Sequence, residues 1–260
     1  MRGYRVARCK NRPMPSHQDN AESFDAAAEA YARSRPGYPS ESIDWLLDGI
    51  SGTVVDLGAG TGLLTRSLVD RVDTVIAVEP SDNMRDQLSK AMPVVRAVRG
   101  TGESMPLDDA SAGAVLVAQA WHWVDVPVAS AEVARVLRPG GRLGLIWNLR
   151  DESVPWVRLF SDIMDGQDAA GWAGSIRALN PAVGPEFGPI ESHTTTWTQT
   201  LTVDGLVDLS SSRSYIITMS DDKRRQVLDD VRDLANDVAV DGTVELPYRT
   251  FSFRAPRGAA

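Results

Sequence analysis

Cysteine, lysine and long apolar runs are scarce in this chain, and each scarcity removes a class of function. Cys9 is the only cysteine in 260 residues, so no intrachain disulfide and no cysteine-rich metal site can form, and no metal is expected. Lysine occurs only as Lys10, Lys90 and Lys223, and no Gly-Lys-Ser/Thr run is present to hold phosphates and magnesium. Acids outnumber bases by 35 to 27, a net charge of -8. Nucleic-acid backbones are bound by clustered positive charge, so neither duplex DNA nor RNA is an expected partner. No stretch is long and apolar enough to span a membrane, and no membrane partner is expected. Residues 1–18 carry Arg2, Arg5, Arg8, Lys10 and Arg12 without an acid, yet no apolar run of signal-peptide length follows. They read as a flexible basic arm or as a start misassigned upstream of Met14, and the expected location is cytoplasmic.

What the chain does contain suffices for a large core: seven tryptophans, 43% hydrophobic residues and a length that fits one elaborated domain. Strand-like runs fall at 53–57, 74–78, 94–98, 114–119 and 142–148, separated by helical stretches at 62–71, 81–92 and 127–138. That alternation predicts an α/β fold with a parallel sheet and helices on both faces. Right-handed crossovers then place the ligand along the edge where the strands end. Helix-like runs 23–34 and 40–49 precede the first strand. After 150 the pattern loosens. Residues 154–192 mix short helical turns with Gly166, Gly171, Gly174, Pro181 and Gly184, which reads as a cap over the sheet edge. Residues 194–200 are β-rich, 203–211 and 221–238 look helical, and 244–253 returns as a strand. The expected organisation is an arm over 1–20 and a single domain over 21–260, with a cofactor half at 21–150 and a lid with terminal strands at 151–260.

The run Val54-Val55-Asp56-Leu57-Gly58-Ala59-Gly60-Thr61-Gly62 takes a buried strand into three glycines at alternating positions, then directly into a helix. Such a loop can turn sharply and lie against a ligand. The dinucleotide fingerprint needs a third glycine where this chain has Leu63. Glu79 follows Gly58 by 21 positions, at the end of the next apolar run, where a carboxylate can accept both hydroxyls of a ribose. A ribose reader without a pyrophosphate loop suggests an adenosine lacking phosphates.

At these residues the chain resembles the class I S-adenosylmethionine-dependent methyltransferases. Gly100-Thr101-Gly102-Glu103-Ser104-Met105-Pro106-Leu107-Asp108 resembles the family's adenine-side loop, and Leu137-Arg138-Pro139-Gly140-Gly141-Arg142-Leu143 its entry to the fifth strand. Phe24 through Tyr38 is similar to the lead-in of a small-molecule, type 11 branch that includes trans-aconitate methyltransferase-like proteins. The resemblance covers about 23–150. It implies a doubly wound, Rossmann-like, mostly parallel seven-stranded sheet with a C-terminal antiparallel hairpin and a helical lid. It also implies S-adenosyl-L-methionine as cofactor, S-adenosyl-L-homocysteine as product and a small-molecule acceptor, with the protein a monomer or homodimer. A C5-pyrimidine acceptor is excluded, because that chemistry needs a cysteine nucleophile inside the domain and Cys9 sits in a tail.

The resemblance assigns Gly58, Ala59 and Gly60 to the amino-acid part of the cofactor and Glu79-Pro80 to its ribose. Met84 would pack on the adenine, as an alternative to ordinary core packing. Asp56 either orients the loop or accepts the cofactor's amino group. Thr101 stands where the family usually has Asp, so Gly102 and Glu103 are further candidates for the adenine contact. Tyr31 and Arg35 lie on the lead-in that folds over the cofactor, and Gln119 ends the fourth strand beside the transferred methyl. Trp121 and Trp123 could wall the substrate pocket or pack in the core. His122 is the candidate general base, or a local hydrogen-bonding residue. Arg150, Arg213 and Tyr215 are candidate carboxylate readers for the substrate, as is Arg35. A carboxylate acceptor would need no base, being already nucleophilic. Two rival readings stand beside this one: a cofactor-binding regulator without transfer activity, and a nicotinamide oxidoreductase, which Leu63 and the lack of a Tyr-x-x-x-Lys pair oppose.

Overall fold

A computed structural model of the protein describes residues 35–165 and 181–258. Seven strands, β1 (Thr53–Leu57), β2 (Thr74–Val78), β3 (Arg96–Val98), β4 (Ala112–Ala118), β5 (Leu137–Arg150), β6 (Glu191–Thr202) and β7 (Thr243–Pro256), form one sheet in the order β3-β2-β1-β4-β5-β7-β6. β1 to β5 are parallel, and β7 lies antiparallel between β5 and β6. The described helices are α1 (Ser40–Leu47), α2 (Leu63–Leu68), α3 (Asp82–Ala91), α4 (Val126–Val136), α5 (Pro155–Asp165), α6 (Val203–Ser211), α7 (Ser214–Ile217) and α8 (Asp221–Val238). This is the parallel α/β sheet that the alternation predicts, in the doubly wound, Rossmann-like, seven-stranded form that the resemblance implies. The basic arm, the helix-like run 23–34 and Gly166, Gly171 and Gly174 lie outside the described residues.

Strand periodicity divides the core. Successive residues point to opposite faces, so Val54, Val75, Ala77, Ala114 and Leu116 pack under α1, α2 and α3. Val55, Ile76, Val78, Val115 and Val117 pack under α4. A third cluster joins α5, α6, α7 and α8 to the start of β7 through Phe160, Leu206, Ile216, Val231, Leu246 and Tyr248. Local chemistry sets the helix starts. Ser81 Oγ accepts from the Met84 amide at 3.3 Å, Asp125 Oδ1 from Val128 at 3.3 Å and Thr202 Oγ1 from Gly205 at 3.0 Å, each capping an otherwise unpaired donor.

Three departures from the sequence pattern have physical causes. α4 stops at Val136, before the expected 138, because Leu137 is extended and pairs with Ala112 on β4, and Pro139 disfavours the helical conformation for Arg138. β5 is longer than 142–148 at both ends, since Leu137 pairs with Ala112 and Arg150 with Tyr248. Within 154–192, Pro155–Asp165 is a continuous helix. Residues 181–190 lie against the α4 side of the sheet, with Val183, Phe187 and Ile190 packed in that core. The expected C-terminal antiparallel pair is present, and α6, α7 and α8 connect its two strands.

Gly62 starts α2 at φ 88°, where an added Cβ would overlap the terminal methyl of Met92 and press Leu88 Cγ at 3.1 Å. Left-handed backbone alone costs an L-residue about 1–2 kcal/mol. Gly62→Ala is therefore expected to lower the melting temperature by at least roughly 2–4 °C. An unchanged melt would mean that α3 yields without cost.

Candidate active site

The carboxyl ends of β1, β2 and β4 meet around the glycine loop. Gly58, Gly60 and Gly62 all have positive φ, which lets the chain double back between strand and helix. At Gly58 the need is also spatial, since a Cβ there would lie 2.9 Å from that of Ala120. The Gly58 and Ala59 amides donate to Val78 O at 2.8 and 3.2 Å, which ties the loop to the end of β2. Glu79, 6% exposed, completes the tie: Oε2 accepts from Gly60 N and Oε1 from Ser81 N, both at 2.9 Å. A carboxylate offers about four acceptor positions. This one uses two of them to fix the glycine loop against the start of α3.

Asp56 is wholly buried, and its Oδ2 accepts from Thr65 Oγ1 at 2.5 Å, which fixes the first turn of α2 to the end of β1. Its Oδ1 has no hydrogen-bond partner among the described residues. Burial pushes this carboxyl up to about 7, against the Thr65 hydrogen bonds that lower it and with the nearby Glu79 charge adding to the rise. The loop-orienting role is thus built, and the second oxygen is the orphaned acceptor that an ammonium group would satisfy.

On the adenine side, Pro80 is exposed while Met84 is buried beside the loop, its Sδ 3.8 Å from the point where a Gly60 Cβ would stand. Residues 101–104 form a tight turn, with Thr101 and Ser104 exchanging backbone bonds at 3.0 and 3.2 Å. Gly102 admits no side chain, because a Cβ would lie 2.7 Å from Val124 Cγ1. Glu103 Oε1 accepts from the Asp125 amide at 2.8 Å, so its carboxylate joins this turn to the start of α4. Thr101 is exposed.

At the end of β4, Gln119 has φ 58°, a left-handed conformation that is uncommon for a residue with a side chain and that breaks the strand here. Gln119 Nε2 donates to Asn148 O at 3.2 Å. Asn148 Nδ2 donates to Gly37 O at 2.8 Å, and Asn148 Oδ1 accepts from Thr250 Oγ1 at 2.6 Å. Trp121-His122-Trp123 forms a 3-10 turn. Trp121 is 3% exposed in the α4 core and donates to Ala182 O at 2.9 Å, so it takes the packing role. Trp123 is 38% exposed and packs against His122 with ring centroids 4.7 Å apart and planes tilted by 43°. Desolvation lowers His122 to about 4, so its imidazole is neutral at pH 7.

Further along the same edge the candidate carboxylate readers come together. Arg150 ends β5 directly opposite Tyr248 on β7, and its guanidinium lies 4.9 Å over the Phe160 ring. Arg35 Nη2 donates to Ser212 O at 3.4 Å, beside Arg213. Tyr215 packs against the α5–α8 core, and Tyr31 lies outside the described residues. Residues that the sequence did not single out include Thr65, Asn148, Thr250 and Tyr248. Asn148 had a signal, a polar residue at the end of an apolar run. Tyr248 had none, since it continues the Val244-Leu246 alternation and reads as core. Among the described residues no group of three or more His, Cys, Asp or Glu could hold a metal ion, and no helix is long and apolar enough to cross a membrane.

A seven-stranded sheet of this order, with a glycine loop leaving β1 and a buried acid ending β2, is the architecture of a class I S-adenosylmethionine-dependent methyltransferase. A family model described as "Methyltransferase domain" matches residues 55–145. An uncharacterized methyltransferase of Mycobacterium tuberculosis is 48% identical over 243 residues, 92% of this chain and 98% of that protein. An uncharacterized methyltransferase-like protein of Schizosaccharomyces pombe is 31% identical over 258 residues, 94% and 99% of the two chains. The chain belongs to this methyltransferase family. A solved structure from Anaeromyxobacter dehalogenans that also carries a methyltransferase name shares the fold, with a TM-score of 0.64 at 23% identity over 86% of this chain and 97% of that one.

The buried Asp56 generates a pH prediction. Its folded pKa is raised, so its stabilising contribution is complete below about 4 and is lost as pH rises through about 7. Asp56→Asn stays neutral and can keep the Thr65 bond, so its melting temperature should rise relative to wild type between pH 4 and 7. The lowered His122 acts oppositely, losing stability as pH falls through about 4, but it is common to both proteins and cancels in the difference. Parallel melting curves across this range would refute the neutral carboxyl.

Proposed function

We propose that this methyltransferase acts on a small carboxylic acid. The observation that carries the proposal is the gathering of Arg35, Arg150 and Arg213 around one end of β7, beyond the strand ends that hold the cofactor site. Guanidinium groups bind carboxylates through paired, charge-assisted hydrogen bonds and are always protonated. S-adenosylmethionine, when bound, supplies a methyl activated by its sulfonium and leaves as S-adenosylhomocysteine.

The protein's own contribution is placement and exclusion of water. In this reading the loop at Gly58, Ala59 and Gly60 carries the amino-acid part of the cofactor, with Asp56 Oδ1 toward its amino group. Glu79 and Pro80 meet the ribose. Met84, Thr101 and Gly102 line the adenine, while Glu103 holds that turn in place. Gln119 and Trp123 border the methyl. A neutral His122 of pKa about 4 is a poor base for a hydroxyl or amine, and a carboxylate needs none.

Two outcomes are expected. Glu79→Ala should abolish measurable S-adenosylmethionine binding in calorimetry, and retained affinity would remove the ribose assignment. In a labelled-methyl assay on a panel of mono-, di- and tricarboxylic acids, wild type should form base-labile methyl esters. Arg213→Met should cut kcat/KM by about 10- to 100-fold, the cost of one charge-assisted hydrogen bond, whereas His122→Ala should retain transfer to a carboxylate. Base-stable methylation alone would point to nitrogen or carbon as the acceptor.

A further inference from the structure

The phenol of Tyr248 has a hydroxyl that the fold does not use. Tyr248 is 2% exposed and stacks on Trp197, with ring centroids 5.1 Å apart and planes 19° apart. Phenylalanine would make the same stack. The hydroxyl is buried and has no hydrogen-bond partner among the described residues. Leaving such a group unsatisfied costs about 1–3 kcal/mol, and buried polar atoms in folded proteins are seldom left so. The polar side chains beside this stack bond to one another and not to the phenol: Trp197 Nε1 donates to Thr250 Oγ1 at 2.8 Å, and Thr250 Oγ1 donates to Asn148 Oδ1.

The surroundings specify the missing partner. Arg150, Tyr248 and Trp197 occupy one row across β5, β7 and β6. Directly opposed residues on one face of an antiparallel pair have Cβ atoms about 4.5–5.5 Å apart. Arg35 reaches Ser212, the residue next to Arg213, and Arg213 forms no ion pair with any described residue. Burial raises the phenol's pKa, and the charges of Arg213, Arg150 and Arg35 act against that rise, which places all three guanidinium groups in electrostatic reach of one hydroxyl. A neutral O–H donor among three cations favours an anion with several acceptor lone pairs.

Resting on the reading of the acceptor as a carboxylic acid, we infer that Tyr248, with Arg35, Arg150 and Arg213, forms an anchoring subsite for a carboxylate of the acceptor other than the group that is methylated. The distinction follows from the sheet. Neighbouring strands stand about 4.8 Å apart and β5 separates β7 from β4, while the Arg150–Tyr248 row lies beyond the Ala118–Ile146 pair along the strands, so the Tyr248 backbone lies roughly 15 Å from the strand end that borders the methyl, a span that the side chains and the acceptor bridge together. A carboxylate held by a phenol and guanidinium groups is also a weakened nucleophile, because its lone pairs are engaged. The acceptor therefore bears a carboxylate anchor at one end and its nucleophile several bonds away. Tyr248 is a positioning and specificity residue.

The test compares linear α,ω-dicarboxylates, succinate through adipate, with monocarboxylates of equal chain length, in wild type and Tyr248→Phe. Calorimetry with S-adenosylhomocysteine first establishes that the variant binds cofactor as wild type does. Wild type should prefer at least one diacid over its monoacid by tenfold or more in kcat/KM. Tyr248→Phe should reduce that preference about tenfold through KM, with kcat held within threefold. If wild type esterifies acids but Tyr248→Phe leaves the preference intact, or lowers kcat alone, the subsite is overturned and the carboxylic-acid reading survives. If wild type binds cofactor yet esterifies no acid, that reading falls and the subsite falls with it.

Discussion

The antiparallel insertion of β7 between β5 and β6 is the constraint on which the second half of the molecule depends. Along β7, Phe251, Phe253 and Ala255 fill the α4 core, while Val244, Leu246 and Tyr248 on the opposite face build the core under α5–α8. One strand thus serves two hydrophobic clusters, and a register slip of a single residue would exchange its two faces. The same register sets Thr250 against Asn148 and Tyr248 against Arg150. The polar chain from Gln119, just past β4, through Asn148 and Thr250 to Trp197 links β5, β7 and β6 and is buried along much of its length, which ties the end of β4 to the last three strands of the sheet.

In the cofactor half, two carboxylates from adjacent strands do different work because their surroundings differ. Glu79 is held by two backbone amides, and Asp56 by one threonine in a fully buried setting. Each ties a flexible element to a rigid one: Glu79 joins the glycine loop to the start of α3, and Asp56 joins β1 to α2. The loop conformation is consequently determined before any ligand arrives, which is what a site that aligns a methyl group requires.

The geometry around the glycine loop was largely legible in the sequence. Asp56, Gly58, Gly60 and Glu79 fall within two strand-loop-helix units, and local spacing brings them together. Trp121 and Glu103 were harder to read. Trp121 lies in the core because Ala182, far along the chain, takes its N–H, and Glu103 is occupied because α4 brings the Asp125 amide to it. Neither partner is visible in the spacing around the residue itself. Arg35, Arg150 and Arg213 could be named individually as carboxylate readers, but their common focus could not.

By itself, the sequence determined the order of strands and helices, the left-handed glycine loop and the acid that closes it, since all of these rest on periodicity, backbone permissiveness and spacing within a few tens of residues. Only the tertiary structure decided that β7 enters beside β5, that Tyr248 is paired with Arg150, and that a buried phenol hydroxyl comes within electrostatic reach of three arginines. That pairing joins distant segments, and its register is set by the packing of two faces at once, which no local pattern encodes.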